Sequence, residues 1–237
     1  MDELAQRIEA ALRTSARPYL VAITGSVAVG KSTLARSLAS SLAVTWKVDV
    51  VNTDGFLFPN AELEARGLMQ RKGFPESYDQ AALDAFVSSL KSGAAPLRVP
   101  LYSHGAYDVT GDVQIVDRSD VVILEGLQSI RDGVDFSIYL DAPEPELEAW
   151  FLARLFALRE DPNSFLHAYS EEALLPLAKE VWRTINLANL REHIAPYREL
   201  AHVVVEKGPG HVVTGIRQRA AEPSDSRRST PASRSSR

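Results

Sequence analysis

Residues 25–33 read GSVAVGKST. Two glycines frame four residues, and a lysine and two hydroxyls follow. This G-x-x-x-x-G-K-S spacing suits a backbone that turns its N–H groups inward around phosphate. Gly25 and Gly30 supply the turns, Lys31 reaches terminal phosphates, and Ser32 holds a magnesium ion. Gly25, Ser26, Val27, Ala28, Val29, Gly30, Lys31, Ser32 and Thr33 are therefore the candidate nucleotide contacts, with ATP and Mg2+ the implied cofactors. Transfer of a phosphoryl group to an alcohol needs two further things near the γ-phosphate. One is extra positive charge, and the other is a carboxylate to orient or deprotonate the hydroxyl. Asp54 in NTDGF is the candidate carboxylate, and Glu125 in ILEG the candidate partner of the metal or its water. Two plainer readings stand beside these: an Asp-Gly turn at Asp54 and a loop-capping acid at Glu125.

Such groups work only if strands and helices carry them to one place. YLVAIT (19–24) is a short apolar run suited to a buried strand, and it leads into the glycine loop. Leu34, Leu38 and Leu42 then recur at helical spacing, so the loop joins a strand to a helix. Buried strands are also predicted at 47–54, 121–126, 136–142 and 201–207. Helices are predicted at 1–17, before Pro18, and at 78–91, 144–160 and 171–194. Ser77 and Gln80 read as a capping box, and Gly93 as a C-terminal stop. Pro176 either kinks the last helix or marks its first turn. Alternating strands and helices predict an α/β fold with a parallel sheet covered on both faces, and ligands in such sheets sit beyond the carboxyl ends of the strands. Residues 1–220 read as one domain. Residues 221–237, EPSDSRRSTPASRSSR after Ala221, are too poor in aliphatic side chains to fold and read as a disordered Ser/Arg-rich tail.

Other polar segments admit two readings each. YSHGAYD (102–108) is a turn-like loop able to read a polar substrate, or an ordinary surface loop. RGLMQRKGF (66–74) reads best as a solvated basic turn. Arg154 and Arg159 complement a helix terminus, or one of them neutralises charge over the phosphates. Asn186, one turn from Trp182, faces substrate or solvent. A net charge of −5 speaks against a dedicated nucleic-acid surface. The absence of cysteine excludes disulfides and thiolate chemistry and fits a cytoplasmic protein. No apolar run has the length of a membrane span.

In the order GSVAVGKST, NTDGFLFPN, RGLMQRKGFPESYD, YSHGAYD, ILEGL, DFSIYLDA, FLHAY and VWRTINLANL, the chain resembles the type I, prokaryotic pantothenate kinases over residues 19–219. RGLMQRKGFPESYD is the most specific of these stretches. The resemblance implies a three-layer P-loop kinase fold with a mainly parallel central sheet flanked by helices. It implies magnesium-dependent transfer of the ATP γ-phosphoryl group to the primary hydroxyl of pantothenate, the first step towards coenzyme A. It assigns Lys31 and Ser32 to nucleotide and metal, Asp54 to the reacting hydroxyl, and Tyr102, His104 and Asn186 to the acceptor site. Arg154 would meet the phosphates. It further implies a homodimer, inhibited by coenzyme A in competition with ATP, with Arg36 and His104 matching the inhibitor site. The chain departs from the pattern in places. Phe151 stands in WFLARL where a tyrosine is usual, Leu155 replaces an aromatic, and Gln128 replaces an asparagine. The segments after ILEGLQSIRDG and within LREDPNSF are short. Phe151 would still line the acceptor site, without a hydroxyl to bond the substrate. Two alternatives follow: the same fold acting on another small alcohol (a nucleoside or sugar acid), or a non-catalytic nucleotide- or coenzyme A-binding regulator.

Overall fold

The computed structural model describes residues 2–219. Their strands are β1 (Tyr19–Gly25), β2 (Val48–Asn52), β3 (Leu97–Ser103), β4 (Asp108–Val116), β5 (Val121–Glu125), β6 (Phe136–Asp141), β7 (Val203–Lys207) and β8 (Val213–Gln218). Six of them form one sheet in the order β2-β5-β1-β6-β7-β8. All its pairings are parallel except that of β8 with β7. The main helices are α1 (Asp2–Leu12), α2 (Lys31–Leu42), α3 (Asn60–Ala65), α4 (Gln80–Lys91), α5 (Glu144–Arg159) and α6 (Glu171–Val181).

Alternation along the strands divides the core into two layers. Val21 and Ile23 of β1 and Ile123 of β5 pack with Leu4, Ile8 and Leu12 of α1 and Leu34, Leu38 and Leu42 of α2. Leu20, Val122 and Leu124 point the other way, against Leu83, Phe86, Val87 and Leu90 of α4. The result is the expected three-layer α/β architecture. The antiparallel hairpin of β3 and β4, which no periodicity announced, joins the second layer through Val99 and Val116.

Several local expectations are corrected. The first helix stops at Leu12, well short of residue 17. The segment 47–54 is a half-buried edge strand only to Asn52, whose side-chain Oδ1 then accepts from the Asp54 N–H and starts a 3-10 turn over Thr53–Phe56. The capping box is absent. Asp79 caps α4 by accepting from the Ala82 N–H, while Ser77 Oγ accepts from the Gly73 N–H and donates to the Phe74 carbonyl. Gly93 does end α4, at φ +80°. Pro176 lies inside α6, beyond its first turn, and the helix passes into π-helical turns at Trp182–Asn186 and Leu190–Ile194. The predicted tail lies outside the described residues. Among these residues no helix is long and apolar enough to cross a membrane.

Candidate functional site

The loop after β1 carries the backbone that the glycines require. Gly25 has φ +144°, and a Cβ there would lie 2.5 Å from the Leu140 carbonyl oxygen. Gly30, at φ +98° and ψ 30°, is the left-handed residue from which α2 starts, and no side chain caps that helix. The first-turn N–H groups of α2 therefore keep their affinity for an anion. The Lys31 ammonium donates to the Ser26 and Gly25 carbonyl oxygens, at 2.8 and 3.2 Å. Burial pulls its pKa down, against the opposing pull of Glu125 and Asp54.

Glu125 closes β5 beside two neighbours, with Asn52 opposite it on β2 and Ile23 on β1. Its Oε1 accepts from Ser32 Oγ at 2.8 Å and Asn52 Nδ2 at 3.0 Å. Burial pushes its pKa up, while Lys31 and the Ser32 bond hold it down. Asn52 thus bonds Glu125 with one end of its amide and the Asp54 N–H with the other, tying the two candidate acids together. Asp54 Oδ1 accepts from the Tyr78 hydroxyl at 3.0 Å. Burial and Asp54 raise the Tyr78 pKa, which keeps that hydroxyl a donor. The turn is pressed in from two sides. A Cβ at Gly126 would lie 1.8 Å from Thr53 Oγ1, and one at Gly55 would lie 2.0 Å from the Pro100 carbonyl oxygen.

Asp54 lines a cavity of about 380 Å³ together with Tyr102, His104, Phe151, Arg154 and Asn186. All the acceptor-site residues inferred from the sequence therefore meet in one place. Tyr102 and His104 come from the β3–β4 hairpin and touch edge to face, with ring centroids 5.2 Å apart. Burial and Arg154 lower the His104 pKa. Arg154 also acts on Lys31 and Glu125, so its charge reaches the loop. Phe151 is buried against Trp182, with centroids 5.7 Å apart. Leu155, Leu158, Leu174, Leu177 and Val181 of α5 and α6 make much of the remaining lining aliphatic.

Thr33 and Arg36, predicted as nucleotide-side residues, are exposed on α2 outside the acceptor cavity. Arg159 is also excluded, since it donates to the Tyr169 carbonyl and to Glu160. Lys72 is the main residue that sequence reasoning misplaced. Far from a solvated basic turn, it is 8% exposed and lines the cavity. Its ammonium donates to Asn60 Oδ1 at 2.6 Å and to the Tyr107 carbonyl at 2.5 Å. It lies 4.0 Å from the Tyr107 ring centroid and 5.1 Å from that of Tyr102. Burial lowers its pKa to about 8, although Asp108 and Asp54 oppose the shift. No local signal marked it, since the tyrosines that cover it come from the β3–β4 hairpin. Lys207, also unpredicted, donates to the Val29 carbonyl at 2.7 Å and latches the phosphate loop to the end of β7.

A larger, more open depression of about 780 Å³ is lined by Gln80, Asp84, Gln128, Arg131, His193 and Tyr197, among others. It includes none of the predicted site residues, so the smaller cavity is the candidate active site. Glu125 and Ser32 present oxygen ligands beside the loop, and among the described residues no cluster of three or more His, Asp or Glu forms a cage. That set fits Mg2+, which takes few protein ligands and fills its octahedron with phosphate oxygens and water.

The profile of the phosphoribulokinase / uridine kinase family matches residues 20–159. The chain is 46% identical over 226 residues to a pantothenate kinase of Chelativorans sp. (strain BNC1), covering 84% of this chain and 70% of that one. It is equally similar to a pantothenate kinase of Rhodopseudomonas palustris (strain HaA2), with 46% identity and 84% and 71% of the two chains covered. Its fold also matches a D-glycerate 3-kinase of Cryptococcus neoformans, with a TM-score of 0.66 at 13% identity over 92% of this chain and 98% of that one.

Proposed function

The chain belongs to the pantothenate kinase family, and from that premise we propose that it transfers the γ-phosphoryl group of ATP to the primary hydroxyl of pantothenate. One observation carries this reading. Asp54, bonded through Asn52 to the Glu125 that holds Ser32, lies at once beside the phosphate loop and in the cavity of Tyr102, His104 and Asn186.

Bound Mg–ATP supplies the transferred group and neutralises part of its charge. The first-turn N–H groups of α2 and Lys31 hold the phosphates. Ser32 and Glu125 hold the metal or its water. Asp54 accepts the proton of the acceptor hydroxyl as its oxygen bonds to phosphorus, and the bond to the leaving ADP oxygen breaks. Arg154 faces the charge that develops on the phosphoryl oxygens. Tyr102, His104 and Asn186 orient the acceptor, and the buried Lys72 ammonium offers its carboxylate a partner. The same proposal includes magnesium dependence, assembly as a homodimer, a cytoplasmic setting, and coenzyme A as an inhibitor competing with ATP.

Phe151 and the aliphatic lining favour one second reading, in which the acceptor is a different alcohol. A panel of pantothenate, nucleosides, sugars and sugar acids, read by ADP formation with magnesium and after chelation, separates the two. Pantothenate turnover above every other acceptor is expected. Turnover confined to another alcohol would replace pantothenate, and ATP binding with no product from any acceptor would leave a nucleotide-binding regulator.

A further inference from the structure

The buried amide of Asn189 has no part in the transfer just described, yet it holds the segment that carries Lys72. Asn189 is 3% exposed and sits in the short helical stretch between the two π-helical turns. Its Nδ2 donates to the Gly73 carbonyl at 2.8 Å, across 116 positions of sequence. Gly73 is left-handed at φ +96°, and a Cβ there would meet Leu127 Cδ1 at 3.5 Å and Asn189 Nδ2 at 3.7 Å. The Gly73 N–H donates to Ser77 Oγ at 2.9 Å. Both polar groups of this one residue are therefore anchored, the carbonyl by Asn189 and the N–H by Ser77. The residue before it, Lys72, projects its ammonium over two tyrosine rings into the cavity. Asn186 lines the same cavity from one turn earlier on the helix that carries Asn189. Among the described residues the buried Asn189 Oδ1 has no hydrogen-bond partner, and the Gly73 contact is the side chain's one bond.

We propose that Asn189 is a positioning residue, which fixes the Lys72 ammonium relative to Asn186 and Asp54 by bonding the Gly73 carbonyl and so sets the fit of the acceptor. A left-handed glycine is free to pivot when one of its two anchors is removed. Pivoting at Gly73 swings Lys72 without unfolding the hydrophobic layers. The inference rests on the proposed phosphorylation of pantothenate.

The test compares the intact protein with Asn189→Leu, Asn189→Asp, Lys72→Met and the double variant Asn189→Leu/Lys72→Met. Steady-state kinetics are measured for ATP and for pantothenate, with thermal melting as the check on folding. Loss of one anchoring bond is expected to raise the KM for pantothenate about tenfold, with the KM for ATP and kcat within about twofold. In the Lys72→Met background the same change is expected to add less than about twofold, because the group it positions is gone. Asn189→Asp keeps the volume, loses the donor, and is expected to act in the same direction if Asn189→Leu does not fold. An unchanged KM in a folded variant overturns the inference, as does an equal effect with and without Lys72. Absence of pantothenate turnover by the unsubstituted protein would instead overturn the reading on which it rests.

Discussion

Lys72→Met offers a measurement that isolates one buried charge. Folded Lys72 titrates near pH 8, against the ordinary 10.5 of a lysine, because burial disfavours the ammonium. Between those values the unfolded chain binds the proton and the folded chain does not. Stability from this group therefore rises with pH through that window. A single site with these two constants contributes about 0.1 kcal/mol at pH 7 and about 2.6 kcal/mol at pH 10. The stability of the intact protein minus that of Lys72→Met should accordingly grow by about 2.5 kcal/mol between pH 7 and pH 10. Other titrating groups are common to both proteins and cancel to first order. Reversible urea unfolding at a series of pH values gives the difference directly. The absolute offset at pH 7 includes the lost bonds to Asn60 and Tyr107, but the slope does not depend on it. A difference that stays flat from pH 7 to pH 10, or that falls, would refute the claim that Lys72 is buried at a cost.

Further outcomes are expected at the site. Asp54→Asn should lower kcat by about 10²–10⁴ while ATP still binds by calorimetry, and near-normal turnover would remove Asp54 from the reaction. Phe151→Tyr should lower the KM for pantothenate by up to about tenfold, the worth of one neutral hydrogen bond; no change would mean that the pocket is fitted to something else. Gly55→Ala places a methyl group 2.0 Å from the Pro100 carbonyl oxygen and should destabilise the fold by about 1–3 kcal/mol while moving Asp54 away from the hairpin. A variant that melts normally and turns over normally would show that the turn and hairpin need no such contact.

The sequence announced what repeats or follows from local chemistry. The fully buried β1 and β5 are largely apolar runs, β6 keeps a buried middle, and the phosphate loop is written in its glycines. It did not announce β3 and β4, which are half exposed and interrupted by Pro100 and Gly111. The cap at Asp79 was misassigned because Ser77, an equally good cap by type, is engaged by Gly73 across the preceding turn. Lys72 escaped for a related reason. A lysine beside an arginine and a glycine reads as a surface residue, and only the arrival of Tyr102 and Tyr107 from the hairpin buries it. Asp54 was picked out by residue chemistry at a predicted strand end, whereas His104 and Asn186 were assigned by family resemblance, because residue type alone left each with an equally good plain reading.

The bond from Lys207 to the Val29 carbonyl has a consequence for how the protein is made. The phosphate loop is synthesised 178 positions before its fastening, which lies on a strand that docks beside β6. A nascent chain halted before residue 207 carries the whole glycine motif and no clasp to hold it. The loop therefore gains this fastening only once β7 has been made and has docked.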